Sequence, residues 1–139
     1  MSAILVPSYT GTLNNKPLRF FMAPLPGPHL PWHAPEDLQH CLDLPRDLRR
    51  DFQRKLRSSE WKDDIRTVAT SDGIVTIAPH FMAQGLIGAM QDVGRADAKT
   101  EVRYASECKK AWDLIYPGRD FSEAISLLIA AFHNQGGHA

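Results

Sequence analysis

The chain has 139 residues, with 16 basic and 16 acidic side chains, no formal net charge, and a 43% hydrophobic share. That length suits one domain over 1–139 and lets the chain bury roughly two-thirds of its unfolded surface. Neutrality excludes a protein that holds polyanions by bulk charge but leaves room for one basic face, and the hydrophobic share excludes a wholly disordered chain.

In chain order, Ile4, Leu5 and Val6 and then residues 18–22 are apolar runs, with Asn14-Asn15 between them. This predicts strands joined by a hairpin turn. Prolines at 24, 26, 28 and 31 predict an extended loop, read as a stiff connector, with a ligand for a proline-recognition module as the alternative. Trp32 and His33 continue as a short extended piece. Pro35, with Glu36 and Asp37 close behind, starts a helix that runs to about Asp43, and Pro45 breaks it. A second helix spans 45–57. Residues 65–68 and 74–77 are rich in β-branched side chains and flank a connector ending in Asp72-Gly73, which predicts a β-hairpin over 65–77.

Pro79 opens a helix from His80 to about Met90, in which Gly85 and Gly88 call for close packing. A further helix over 98–116 places Val102, Ala105, Cys108, Trp112 and Ile115 on one side, and Pro117-Gly118 ends it. The C-terminal apolar segment, 118–133, holds the last helix, which starts near Asp120 with Glu123 three residues on as in a capping box. It is apolar nearly all round, which suits either a central core helix or one shared with a second copy. Ile125, Leu128, Ile129 and Phe132 are therefore a candidate homodimer or partner surface. Residues 134–139 read as a flexible tail. The order predicts an α+β fold: small antiparallel sheets or hairpins with about five helices, and little sign of βαβ units.

Cys41 and Cys108 form no C-x-x-C pair and read as two buried thiols in a reducing compartment. The opening residues lack a cationic start and a signal-peptide core. The longest apolar run, residues 127–132, is far below the roughly 20 residues needed to span a bilayer. The expectation is a cytoplasmic protein that engages no membrane. Of the six histidines, His29 and His33 are four apart but lie in the proline-rich loop, and His40 and Cys41 are adjacent and diverge on a helix, so none reads as a zinc site. Neither a phosphate-binding glycine loop nor a nucleophile elbow occurs, so no enzymatic activity, cofactor or metal is expected. Trp32, Trp61 and Trp112 read as packing anchors, with Trp61 partly exposed.

The helix over 45–57 carries the most pointed pattern. At about 100° per residue, Leu48, Phe52 and Leu56 share an arc of about 80°, and Arg46, Arg50, Arg54 and Arg57 share another on the far side. Residues 46–57 hold six basic and two acidic side chains, a local charge of +4 in a neutral chain. The guanidinium fork suits phosphate, so four arginines along the helix match a nucleic-acid backbone, with one available to read guanine. Arg49, Lys55, Lys62 and Arg66 would widen the patch. The bland alternative is a solvated face with local pairs such as Asp47–Arg50 or Asp51–Lys55.

Residues 31–44, PWHAPEDLQHCLDL, resemble the opening motif of the Bro amino-terminal domain, found in phage antirepressors and in proteins of baculoviruses and other large DNA viruses. Pro31 and Trp32 match its strand, Asp37-Leu38 its acid–apolar pair on a helix, and Cys41-Leu42 its small residue and Leu; Asp43 stands where Gly is usual. Residues 74–87 resemble the strand and helix that follow in that family, and residues 109–117 its basic-Trp-Pro ending, so the likeness covers 17–117. The resemblance implies a role on double-stranded DNA in phage, prophage or viral regulation. It equally admits an antirepressor that docks a repressor or other regulatory protein without touching DNA.

Overall fold

The computed structural model describes residues 4–134. Asn14 and Asn15 take φ of 53° and 67°, the left-handed conformation that Asn tolerates better than other side chains. They fold β1 (Tyr9–Leu13) back on β2 (Lys16–Phe21) in antiparallel register, with Gly11 opposite Leu18. β3 (Trp32–His33) joins the other side of β2 and completes a three-stranded sheet. The run Ile4 to Val6, expected as strand, lies outside these strands, although the Leu5 amide donates to the Ala69 carbonyl at 2.8 Å.

Strand alternation puts Leu18 and Phe20 on one face of β2 and Phe21 on the other, and all three are fully buried. The first face packs on α1 (Pro35–Cys41), α3 (His80–Asp92) and α4 (Ala98–Ile115) through Leu38, Ile87, Tyr104 and Ala111. The second packs on Trp32 and on Val75 and Ile77 of the second sheet. That sheet is the hairpin of β4 (Arg66–Thr70) and β5 (Gly73–Ile77). Gly73, at φ 119°, allows the two-residue turn. His33 and Ala78 exchange backbone hydrogen bonds of 3.0 and 2.9 Å and stitch the two sheets together.

α1 ends at Cys41, two residues short of the expected Asp43, which takes φ 53°. A left-handed residue just past a helix is where Gly is favoured, and Asp is among the few others that fit. α2 (Arg46–Leu56) follows, then a short 3-10 turn (Lys62–Asp64). The prolines of 24–31 form an irregular connector, as expected. Leu30 is buried against Trp112 and Ala131, and the Asn134 amide donates to the Pro28 carbonyl at 2.7 Å. The two small antiparallel sheets and five α-helices make the fold α+β.

Two helix faces differ from expectation. In α4 the buried side is Tyr104, Glu107, Cys108, Ala111 and Trp112, while Val102 is 68% exposed and Ala105 is exposed too. The face is turned by roughly 60° because Glu107 is not a surface acid. It accepts the Thr12 backbone N–H at 2.7 Å and the Tyr9 hydroxyl at 3.3 Å, and pairs with Lys110 at 2.8 Å. It thereby caps the outer edge of β1. Gly11 makes room for it: a Cβ there would stand 2.7 Å from Glu107 Oε1 and 2.8 Å from the Tyr9 ring. Gly11→Ala is expected to cost about 1–3 kcal/mol, read as a lower urea midpoint at unchanged slope.

The second difference is α5 (Phe121–Asn134), started by Asp120, whose carboxylate accepts the Glu123 N–H at 2.8 Å. Of its residues only Ala131 is fully buried, so it is no central helix. Leu128 turns toward Trp112 and Leu30 and so leaves the candidate partner surface, whereas Ile125, Ile129 and Phe132 are exposed. The expected tail beyond Asn134 lies outside the described residues. No helix among the described residues is long and apolar enough to cross a membrane.

Candidate nucleic-acid interface

α2 begins directly after Pro45, whose carbonyl accepts the Arg49 N–H at 3.0 Å. Asp47 lies in its first turn, and Arg54 and Lys55 lie in its last, which suits the helix dipole at both ends. Leu56 is buried, and Leu48 and Phe52 pack half-buried on the main core. This fixes the opposite side outward: Arg46, Arg50, Arg54 and Arg57 are all exposed.

The local pairing differs from the one the spacing suggested. Asp51 meets Arg54 at 3.6 Å, and Lys55 meets Glu60 at 3.3 Å. Both pairs are well exposed and worth little. Among the described residues no ion pair holds Arg46, Arg49, Arg50, Arg57 or Lys62.

The flanks of α2 differ in character. On one side, Leu48, Phe52, Trp61, Phe81, Met82 and Met90 line an apolar groove of about 410 Å³, with Asp51 and Lys55 also on its lining. Trp61 is thus the partly exposed tryptophan, and it packs on Phe81 with ring centroids 6.1 Å apart. On the other side, α1 and α2 enclose a polar cavity of about 260 Å³ lined by Gln39, Arg46, Arg49 and Arg50. Gln53 and Glu36 border both this cavity and a second one of about 170 Å³, lined also by Arg57 and by Thr67 and Thr76 of the hairpin. A strip bearing these four arginines, with Glu36 between them, therefore runs from the start of α2 to the outer face of β4 and β5.

The eight candidate contacts do not all join this strip. Arg46, Arg49, Arg50 and Arg57 line it, and Arg54 stands beside them on the exposed arc. Lys55 lies on the apolar flank, and Lys62 is exposed on the 3-10 turn. Arg66 is a neighbour of Thr67 in a strand, so alternation sends it to the opposite face. There its Nη1 donates to the Asp63 and Ile65 carbonyls at 3.0 and 2.9 Å, away from the arginine face. Sequence reasoning passed over Gln39 and Gln53. The one signal for Gln39 was a polar residue beside Leu38, Cys41 and Leu42 on a short helix otherwise apolar on that side.

The other chemistry-bearing residues are packed away. Burial pushes the Cys41 thiol up to about 11 and the Cys108 thiol up to about 12, so neither is a ready nucleophile. Cys108 Sγ lies 3.7 Å from His80 Nδ1, and His80 stacks on the buried Tyr104 ring at 5.5 Å. Among the described residues no group of three or more His, Cys, Asp or Glu side chains is placed to hold a metal ion.

Neither a protein-family profile, nor a curated protein, nor a solved structure matches this chain.

Proposed function

We propose that this protein is a regulatory DNA-binding domain of phage, prophage or viral type that lays the arginine face of α2 on the backbone of double-stranded DNA. One observation carries the reading. In a chain with no net charge, Arg46, Arg50, Arg54 and Arg57 are sorted to a single exposed helix face, and among the described residues only Arg54 of the four is engaged by a carboxylate, weakly. The likeness of residues 31–44 to the Bro amino-terminal domain supports the same reading. The paired variant Arg50→Ala/Arg57→Ala tests it by fluorescence anisotropy on duplex DNA over a salt series. Affinity should fall, and the slope of log K against log salt should flatten by about two units. Affinity and slope equal to those of the unsubstituted protein would refute the assignment.

A second reading is an antirepressor-like module that docks a repressor or other regulatory protein, or a second copy of itself. The observation favouring it is the row Ile125, Ile129 and Phe132 on α5, exposed at 42, 64 and 52%, since apolar groups gathered on one helix face mark contact surfaces.

A further inference from the structure

The polar cavity between α1 and α2 holds an arrangement that the backbone-tracking role does not require. Gln39 is only 1% exposed, yet its Nε2 has no hydrogen-bond partner among the described residues. Arg49 Nε is likewise buried without one. Both residues line the same cavity, together with Arg50, the next residue of α2, and Arg46, one turn earlier. A buried donor left unpaired carries a desolvation penalty, so two of them at one cavity is an arrangement a fold keeps only against a cost. Every unmet group is an N–H donor, and two further guanidinium groups add charge and more N–H donors. Their natural complement is a ligand that only accepts hydrogen bonds, carries negative charge and presents several oxygens. Glu36, the one carboxylate on the lining, is exposed at the rim and stands against three arginines.

We propose that this cavity is a phosphoryl-binding site, in which Gln39 Nε2 and Arg49 Nε donate to phosphate oxygens while Arg46 and Arg50 neutralise the charge. Its extension to DNA rests on the function proposed above, with one backbone phosphate seated here while the outer arginines follow its neighbours. A free phosphate or phosphomonoester offers the same oxygens, and the experiment separates these sources.

The first arm titrates inorganic phosphate into the 15N-labelled protein. The Gln39 side-chain NH2 and Arg49 Nε–H resonances should move saturably, and Gln39→Leu and Arg49→Lys should each abolish saturation at the remaining group. Arg54→Gln, a change on the outer arc, should leave this titration untouched. Gln39→Leu removes a buried unpaired amide, so its thermal midpoint should not drop. Arg49→Lys keeps the charge and loses the fork, which guards the test if the first variant folds poorly. Resonances that stay still, or that shift equally in both cavity variants, would overturn the proposal. The second arm measures duplex DNA: Gln39→Leu should weaken binding about tenfold with the salt slope unchanged, because no charge is lost. DNA binding that ignores Gln39→Leu would sink the phosphate seat and spare the arginine-face reading. Saturable phosphate binding without any DNA binding would do the reverse, leaving a site for a free phosphoryl ligand.

Discussion

Acidification from pH 7 to pH 4.5 is expected to remove on the order of 5 kcal/mol of folding stability. The source is two buried imidazoles. His33 is 1% exposed, and burial, with the nearby His80 adding to it, pushes its pKa down to about 3. His80 is 8% exposed and is pushed by burial down to about 4. In the unfolded chain both titrate near 6.5. Because each folded value lies below the unfolded one, the native state prefers the neutral ring. Their contribution is complete above about pH 6.5, and each ring withdraws about 1.4 kcal/mol per pH unit below it. Two units of pH and two rings give the figure above, comparable with the whole stability of an ordinary domain.

Glu107 works in the opposite sense. Burial pushes its carboxyl up, but Lys110 and the Thr12 amide outweigh that and hold its folded pKa below the usual glutamate value. Its share is present above that value and fades only below it, so the interval from 6.5 to 4.5 belongs to the histidines. Urea midpoints across that interval check this. His33→Phe, which keeps a ring against Tyr104, should flatten the slope by about half. A midpoint indifferent to pH would disprove the account.

Asp37→Ala is expected to cost about 3 kcal/mol. Its carboxylate grips Arg19 in a fork, Oδ2 to Nε at 2.8 Å and Oδ1 to Nη2 at 3.0 Å, and also accepts the Arg19 backbone N–H at 2.9 Å. The two side chains are only 18 and 14% exposed. Removing the acid strands a half-buried guanidinium and an amide at the join of α1 and β2, which is the expensive way to break such a pair. Asp37→Asn, which keeps an acceptor but not the charge, should fall between. Equilibrium unfolding of both variants decides it, and a loss below about 1 kcal/mol for the alanine would show the clamp to be dispensable.

What could be foreseen from the chain was whatever local chemistry decides. Asn14-Asn15, Asp72-Gly73, Pro45 and Pro79 each placed a turn or a helix start because the backbone at those points leaves few choices. The 3.6-residue period of α2 sorted its two faces correctly, since Leu48, Phe52 and Leu56 leave the arginines only one side. Prediction failed where a polar side chain is satisfied by a distant partner. Glu107 finds Thr12, 95 residues away, and this turned the α4 face and exposed Val102. Gln39 lines a cavity that exists only once α1 and α2 are set side by side. Arg66 looked like part of the basic patch until the strand it sits in gave it a direction. Asp37 stood in the family-like motif as half of an acid–apolar pair; the fold shows the acid clamping β2 while Leu38 fills the core.

The margins of the two sheets have a consequence for how other chains can approach. Glu107 occupies the Thr12 amide on β1, the Leu5 amide covers Ala69 on β4, and His33 and Ala78 consume each other's backbone groups in between. At these points no row of free amides and carbonyls is left to template an incoming strand. Addition of a further strand is therefore hindered at those points.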